Sequence, residues 1–600
     1  MAAQPEQLRC LVQDCVAKHL YATAVFFADK LVSLTDHAPG DVYLLAQTYF
    51  VSRQHRRGVM LLRAHGLLED GRFRYLTAKC LAEVGEWDEV LGLLGDGELN
   101  DEPTADEQGR SQGHDVAAAA AVCLLRGKAY EALENRQRAI ASYKAALQAD
   151  PFCQEAFAAL VDNHMLTNAE ELALLDSLPL RPEDRWLGLL YRAQCKKYLQ
   201  HDSMDAVLEE LQAQPGGATA MAAEPTTPTG AEQEQQAQQA HQAQQAQQQA
   251  QQQESQAQQR HDCEQQQGAP GLPGAPSGGC GLGSNPDVLA ARADWLLHLG
   301  RADDAYALTS GILASDPYAS QALTTHLAAA LALGKKNELF LRGHKLVEEY
   351  PEAALSWYSV GVYYMATRQY DQARAFFAKA TQLDRHSAAA WIGFGHAFAE
   401  QDESDQALAA YRTAARLFPG LHAPLLGMGC AYTAMNNLHL AERCLLQAHA
   451  VCPHDPAVAH ELGVLAYRGR QYDAAASWLA RALELLPGGR PTPAWEATVV
   501  ALAHARRKQR RYGEALALYE TALGLNPSSA GTYAGLGFTH QLLGAAGAAV
   551  EAYHKALGLR PDDAFASEML GLALQEEAAR FGAELAAADE PELGGGDGRY

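Results

Sequence analysis

The stretch AHELGVLAY, residues 459–467, contains His460 and Glu461. These are the first two members of a zinc-protease signature in which paired histidines hold the metal and the glutamate activates water. The second histidine would stand at 464, where the chain has Val464. The run GCGLGS, residues 279–284, has the glycine density of a phosphate-cradling loop, but no strand precedes it and its surroundings are low in complexity. Eleven cysteines, spread from Cys10 to Cys452, form no CxxC and no finger-like spacing with histidine, a usage that fits a reducing compartment. His396, His504 and His540 are solitary, a pattern that packing or surface exposure explains. No motif gathers a nucleophile, a base and oxyanion donors, so no catalytic residue, cofactor or metal is expected.

Composition narrows the partners. The 600 residues carry 48 basic and 72 acidic side chains, a formal charge of -24, which gives no electrostatic reason to expect nucleic acid or an anionic membrane. The start, MAAQPEQLRC, lacks a charged segment followed by an apolar one, and no run of about 18 apolar residues occurs. Neither secretion nor membrane spanning is indicated.

What must position any functional residue is a repeat. Prolines closing alanine-rich helices fall at Pro317, Pro351, Pro419, Pro453 and Pro487, at intervals of 34, 68, 34 and 34 residues, with Arg385 midway through the double interval. Pro527 follows after 40 residues and Pro561 after 34 more. On this ruler Trp357, Gly361, Tyr364, Ala373, Phe377 and Ala380 recur as Trp391, Gly395, Ala407, Tyr411 and Ala414, then as Gly429, Tyr432, Ala441 and Ala448. The register survives a six-residue insertion in PGGRPTP and returns through Ala515, Tyr519, Gly537 and Tyr553. An early unit carries Gly127, Tyr130, Ala139, Tyr143, Ala146 and Pro151 at the same offsets.

The period and residue types resemble the tetratricopeptide repeat, a helix-turn-helix unit of about 34 residues. Small residues let two helices approach, aromatic rings fill the wider gaps, and proline stops the second helix. Each pair leaves an apolar face that only its neighbour can cover, so the expected fold is an all-α superhelix with a concave groove. Degenerate units are expected near the N-terminus, with Ala24 and Ala46 at small-residue positions. Leu327 and Leu339 stand where small residues belong, so that helix pair should pack loosely.

The expected organisation is N-terminal repeats over 1–211, a Gln/Ala/Gly/Pro-rich disordered insert over 212–285, C-terminal repeats with a capping helix over 286–580, and a disordered acidic tail over 581–600. The insert should leave the stack intact. In this repeat class four first-helix positions line the concave wall, here Tyr358, Val362, Met365, Ile392, His396, Leu426, Cys430, Thr433, His460, Val464, Tyr467, His504 and Phe538. This wall is apolar and lightly polar, with Arg507 its exceptional cation, which suits a hydrophobic peptide or helix laid lengthwise better than an acidic C-terminus.

Particular phrases carry a closer resemblance: ATAVFFADKLVSL, DVYLLAQTYF, RYLTAKCLAEVGEWDEVLGLL, EELALLDSLPL, NELFLRGHKLVEEYPEAALSWYSVGVYYM and AWIGFGHAFAEQDESDQALAAYRTAARLFPG. Together they resemble the cell division cycle protein 16 family, subunit 6 of the anaphase-promoting complex. The resemblance implies a non-catalytic scaffold of a multisubunit ubiquitin ligase that marks mitotic regulators for degradation, in nucleus and cytoplasm. It further implies a homodimer formed through the N-terminal repeats, contacts with other repeat subunits, and a small accessory chain held in the C-terminal groove. Candidate dimer contacts are Phe26, Phe27, Tyr43 and Tyr49. The insert departs from the family pattern. Two other readings are a different repeat adaptor, such as a cochaperone or transport scaffold, and an enzyme with a repeat recognition domain; the second would need a catalytic domain outside the repeats.

Overall fold

Every regular element is helical among the residues described in the computed structural model, which are 3–95, 118–198, 203–213, 282–486 and 491–588. The helices follow one another as antiparallel pairs. In the C-terminal run the pairs begin with Pro286–His298 and Ala302–Ser315 and end with Ala530–Leu542 and Ala546–Leu559, before the 25-residue helix Ala564–Ala588. That last helix runs past residue 580, so the expected tail boundary falls inside it. Its sequence, FASEMLGLALQEEAARFGAELAAA after Ala564, holds no proline or strong breaker to stop it earlier.

Packing within a pair is set by a size rule at a fixed offset of sixteen residues, visible in the numbering. Gly361 faces Phe377, Gly395 faces Tyr411, Gly429 faces Leu445, and Gly127 faces Tyr143. A methyl group on Gly361, Gly395 or Gly127 would lie 2.4–2.5 Å from the opposing ring, far inside contact distance. Each ring also wedges against the next unit, since Gly393 meets Phe377 and Gly427 meets Tyr411 within 3 Å of an added methyl. The aromatic side chain thus fills a slot that glycines on both sides keep open. Phe377, Tyr411, Tyr519 and Tyr553 are accordingly among the most deeply buried side chains.

One pair reverses the rule. Leu327 occupies the glycine position and is fully buried, while the residue sixteen positions on is Gly343. The helices Ser320–Ala332 and Lys336–Glu349 make the least backbone contact of any pair in the C-terminal run, in keeping with the expected looseness. Gly343 faces the following helix instead, where an added methyl would lie 3.3–3.4 Å from Val360.

The turn inside each repeat places one residue in the left-handed region: Gly300, Gly334, Arg368, Asp402, Asn436, Arg470, Arg510 and Gly544. Its successor's N–H closes back on the first helix, as in Gln369 N–H to Tyr364 O at 2.9 Å. Between repeats an Asx turn recurs, with the carboxylates of Asp150, Asp316 and Asp384 accepting from the N–H two residues on, at 2.8–3.0 Å.

The expected insert lies largely outside the described residues, but its flanks meet. Ala193, Met204, Leu208 and Leu211 share one core cluster with Val288, Ala291 and Trp295, and the Trp295 indole donates to Asp205 at 2.8 Å. The stack therefore continues across the insert.

A seam joins successive turns of the superhelix, the inner-repeat turns of the N-terminal half meeting the inter-repeat turns of the C-terminal half. Its first rung pairs Arg385 with Glu134 at 3.4 Å and His386 with Glu131 at 3.8 Å. At the second, the His164 ring meets Phe418 edge-on at 6.2 Å, and Gly420 lies so close to the Leu166 carbonyl that a methyl there would be 1.9 Å from the oxygen. The third sets Tyr198 edge-on to His422 at 4.9 Å, while His422 Nε2 and Asp455 are 2.8 Å apart. Lys196 is buried beneath, bonded to Leu166 O at 2.9 Å and ion-paired with the fully buried Glu171. Burial, with Lys196 and Arg136 nearby, pushes His164 down to about 4, so the seam's interior holds a neutral imidazole at neutral pH.

Candidate functional site: the concave groove

The candidate groove residues lie on first helices of consecutive repeats. Tyr358 and Met365 belong to Ala354–Ala366, Ile392 and His396 to Ala388–Ala399, and Leu426 and Cys430 to Ala423–Ala434. His460, Val464 and Tyr467 belong to Pro456–Arg468, His504 to Glu496–Lys508, and Phe538 to Ala530–Leu542. Most are half-buried, and His396 is exposed. Val362 and Thr433 are buried; the Thr433 hydroxyl turns back to Gly429 O at 2.8 Å, so these two support the stack rather than present a surface.

The histidines are braced from behind. His396 Nδ1 lies 2.8 Å from the Tyr411 hydroxyl and His504 Nδ1 lies 2.5 Å from Tyr519, each at an offset of fifteen residues; His460 Nδ1 lies 3.0 Å from Thr498 Oγ1. The same tyrosine that fills the glycine slot thus holds a groove imidazole by its hydroxyl. Where that hydroxyl donates to Nδ1, the Nε2–H is left for the groove. The signal for this brace in the sequence is the recurring His-to-Tyr offset of fifteen.

Electrostatically the wall is quiet. Burial, reinforced by the positive charges of Arg507 and Lys508, pushes His504 down to about 4. Burial also lowers His396 and His460, against the opposite pulls of Glu400 and Glu461. His396 meets solvent along the groove, yet the surrounding walls desolvate it. Burial pushes the Tyr358 hydroxyl up to about 12, and burial together with Glu461 pushes the Cys430 thiol up. Near neutral pH these groups are uncharged. The guanidinium of Arg507 sits 4.9 Å over the Phe538 ring, which in turn meets Phe565 edge-on at 5.9 Å. Among the described residues no group of three His, Cys, Asp or Glu side chains is placed to hold a metal, and no helix is long and apolar enough to cross a membrane.

At the other end, the four dimer candidates separate. Phe26 is 58% exposed, stands edge-on to Phe27 at 5.3 Å, and has Lys30 over its ring at 5.5 Å. Phe27 and Tyr43 are half-buried against the N-terminal core, with Tyr43 edge-on to Phe73. Tyr49 is only 5% exposed; Arg57 stacks on its ring at 4.5 Å and donates to its hydroxyl at 2.9 Å. Its ring is packed into the repeat core, which leaves Phe26 the most exposed of the four candidates.

Comparison with known proteins accords with this geometry. Tetratricopeptide repeat models match residues 120–153, 344–388, 358–422, 426–490 and 500–564, and the model of anaphase-promoting complex, cyclosome, subunit 3 matches residues 17–97. The chain is 40% identical to anaphase-promoting complex subunit 6 of Arabidopsis thaliana, over 95% of this chain and 97% of that one. It is 34% identical to the cell division cycle protein 16 homolog of Homo sapiens, over 90% and 79%. The crystal structure of the APC/C hetero-tetramer Cut9-Hcn1 superposes with a TM-score of 0.74 at 29% identity, covering 95% of this chain and 96% of that one. With identity running through nearly the whole length of both sequences, the chain belongs to the family of anaphase-promoting complex subunit 6, also called cell division cycle protein 16.

Proposed function

We propose that this chain serves as a non-catalytic scaffold subunit of the anaphase-promoting complex, acting in the nucleus and cytoplasm. Its N-terminal repeats pair with a second copy, Phe26 offering the free apolar side chain. Its C-terminal repeats contact other repeat subunits and receive a small accessory chain lengthwise in the groove. The observation that carries the reading is the groove itself: a long wall of half-buried apolar side chains and uncharged imidazoles suits an extended apolar partner and offers little chemistry. The similar solved structure is named as a hetero-tetramer of Cut9 with Hcn1, which supports both a multi-copy assembly and a second kind of chain. Tagged protein purified from dividing cells should bring down ubiquitin-ligase subunits, and light scattering of the isolated chain should give twice the 64.7 kDa protomer mass. Recovery without ligase subunits would overturn the scaffold reading, and a monomer at micromolar concentration the dimer.

A further inference from the structure

Outside the groove, one edge of this acidic molecule is strongly basic. The sequence ARRKQRRYGEA, residues 505–515, ends the helix Glu496–Lys508 and turns into the helix Tyr512–Leu525, placing Arg506, Arg507, Lys508, Arg510 and Arg511 around a single inner-repeat turn. The turn of the preceding repeat carries Arg470 in the equivalent left-handed position. Between the two turns lies an open cleft of about 650 Å³ lined by Arg470, Tyr472, Asp473, Lys508, Gln509 and Arg511.

Internal acids do not neutralise it. Glu514 is shared between Arg506 at 3.3 Å and Arg511 at 3.5 Å, and the cleft's own carboxylate, Asp473, accepts from the Gln509 amide at 2.9 Å. Arg470, Lys508 and Arg510 are exposed and have no ion-pair partner among the described residues. The two repeats before them turn through Asp402 with Glu403 and Asn436 with Asn437, and single cations return at earlier turns as Arg368 and Lys335, so the cations around Arg510 and Arg470 form the densest group on this edge of the C-terminal run. Of these cations only Arg507 falls at a groove position, so the concave wall stays nearly free of bases.

We propose that this cleft docks a short carboxylate-rich segment of a partner protein, with the guanidinium groups of Arg470 and Arg511 and the Lys508 ammonium each taking a carboxylate. Guanidinium and carboxylate match as charge-assisted, two-bond pairs. Cations drawn from two turns suit several carboxylates in a row better than one compact phosphate. A long polyanion such as nucleic acid is disfavoured by the formal charge of -24, and a single half-buried ring, Tyr472, makes no stacking platform for bases.

The full chain titrated into a fluorescein-labelled octaglutamate peptide at low salt should give saturable anisotropy that weakens at about 0.3 M salt. Arg470→Glu with Lys508→Glu should weaken it by about tenfold or more, since two charge-assisted contacts are lost. A chain with Lys336→Glu and Lys345→Glu, the same change in net charge two repeats or more away, should bind as the parent does. Both variants are surface changes, and unchanged circular dichroism melting establishes that they fold. The proposal is overturned by an absence of saturable binding, by equal weakening in the two variants, by binding of a phosphoserine peptide alone, or by an oligothymidine that displaces the peptide at lower concentration than octaglutamate itself.

Discussion

Two helix pairs of the same run, separated by one repeat, solve the same packing problem in opposite ways. In Ala388–Ala399 with Ser404–Leu417, Gly395 lets the Tyr411 ring reach across to the first helix. In Ser320–Ala332 with Lys336–Glu349, the first helix supplies the bulk as Leu327, and the second carries Gly343 at the ring's position. The sum of sizes is roughly kept while their placement is exchanged. The repeat thus requires one large and one small residue at this offset more strictly than it requires either in a given helix, a volume-conserving exchange of the kind cores tolerate. The exchange has a local cost: with no ring to lock it, the reversed pair meets along less backbone and leans on the next repeat through Gly343 and Val360.

Three substitutions would break or sharpen that contrast. The largest effect should come from Leu327→Ala, which leaves the reversed pair with no bulky partner at either position and should cost about 2–5 kcal/mol in chemical denaturation. Next, Gly395→Ala should cost about 1–3 kcal/mol, because its methyl would sit 2.4 Å from the Tyr411 ring. The same change at Gly343 should do least. There a methyl meets Val360 at 3.3–3.4 Å, an adjustment of a few tenths of an ångström, while alanine gains about 1 kcal/mol of helix propensity over glycine. A melting temperature for Gly343→Ala at or slightly above the parent, beside a clear loss for Gly395→Ala, would establish the exchange; equal losses would refute it.

How much of this could be read in advance follows from the range of each interaction. Gly361 with Phe377 and Gly395 with Tyr411 are close in sequence and repeated, so counting residues finds them. Leu327 and Leu339 stand out as misfits, yet that Gly343 compensates for Leu327 depends on which side chains face each other across the pair, and only the coordinates show that. That the groove candidates lie on first helices followed from the register, while Val362 and Thr433 sit deeper than their positions suggest and Tyr49 is engaged by Arg57. The seam was illegible. His164 and Phe418, or Leu166 and Gly420, are about 250 residues apart, common in type, and brought together only by the pitch of the coil. The basic edge is present in the sequence as RRKQRR, at positions mostly off the groove register and within a chain whose total charge is -24.

The seam gives the superhelix a mechanical character that a bare stack lacks. A stack of repeats touching only their neighbours behaves as a coil spring, extensible because each junction yields a little. Rungs at Glu134 with Arg385, Leu166 with Gly420, and Tyr198 with His422 tie one coil to the next, so stretching must break all three before the junctions can share the strain. A pull on the N-terminal repeats is then delivered to the inter-repeat turns around Phe418 and Asp455 without passing through the chain on either side of the insert. Over that span the molecule works as a strut.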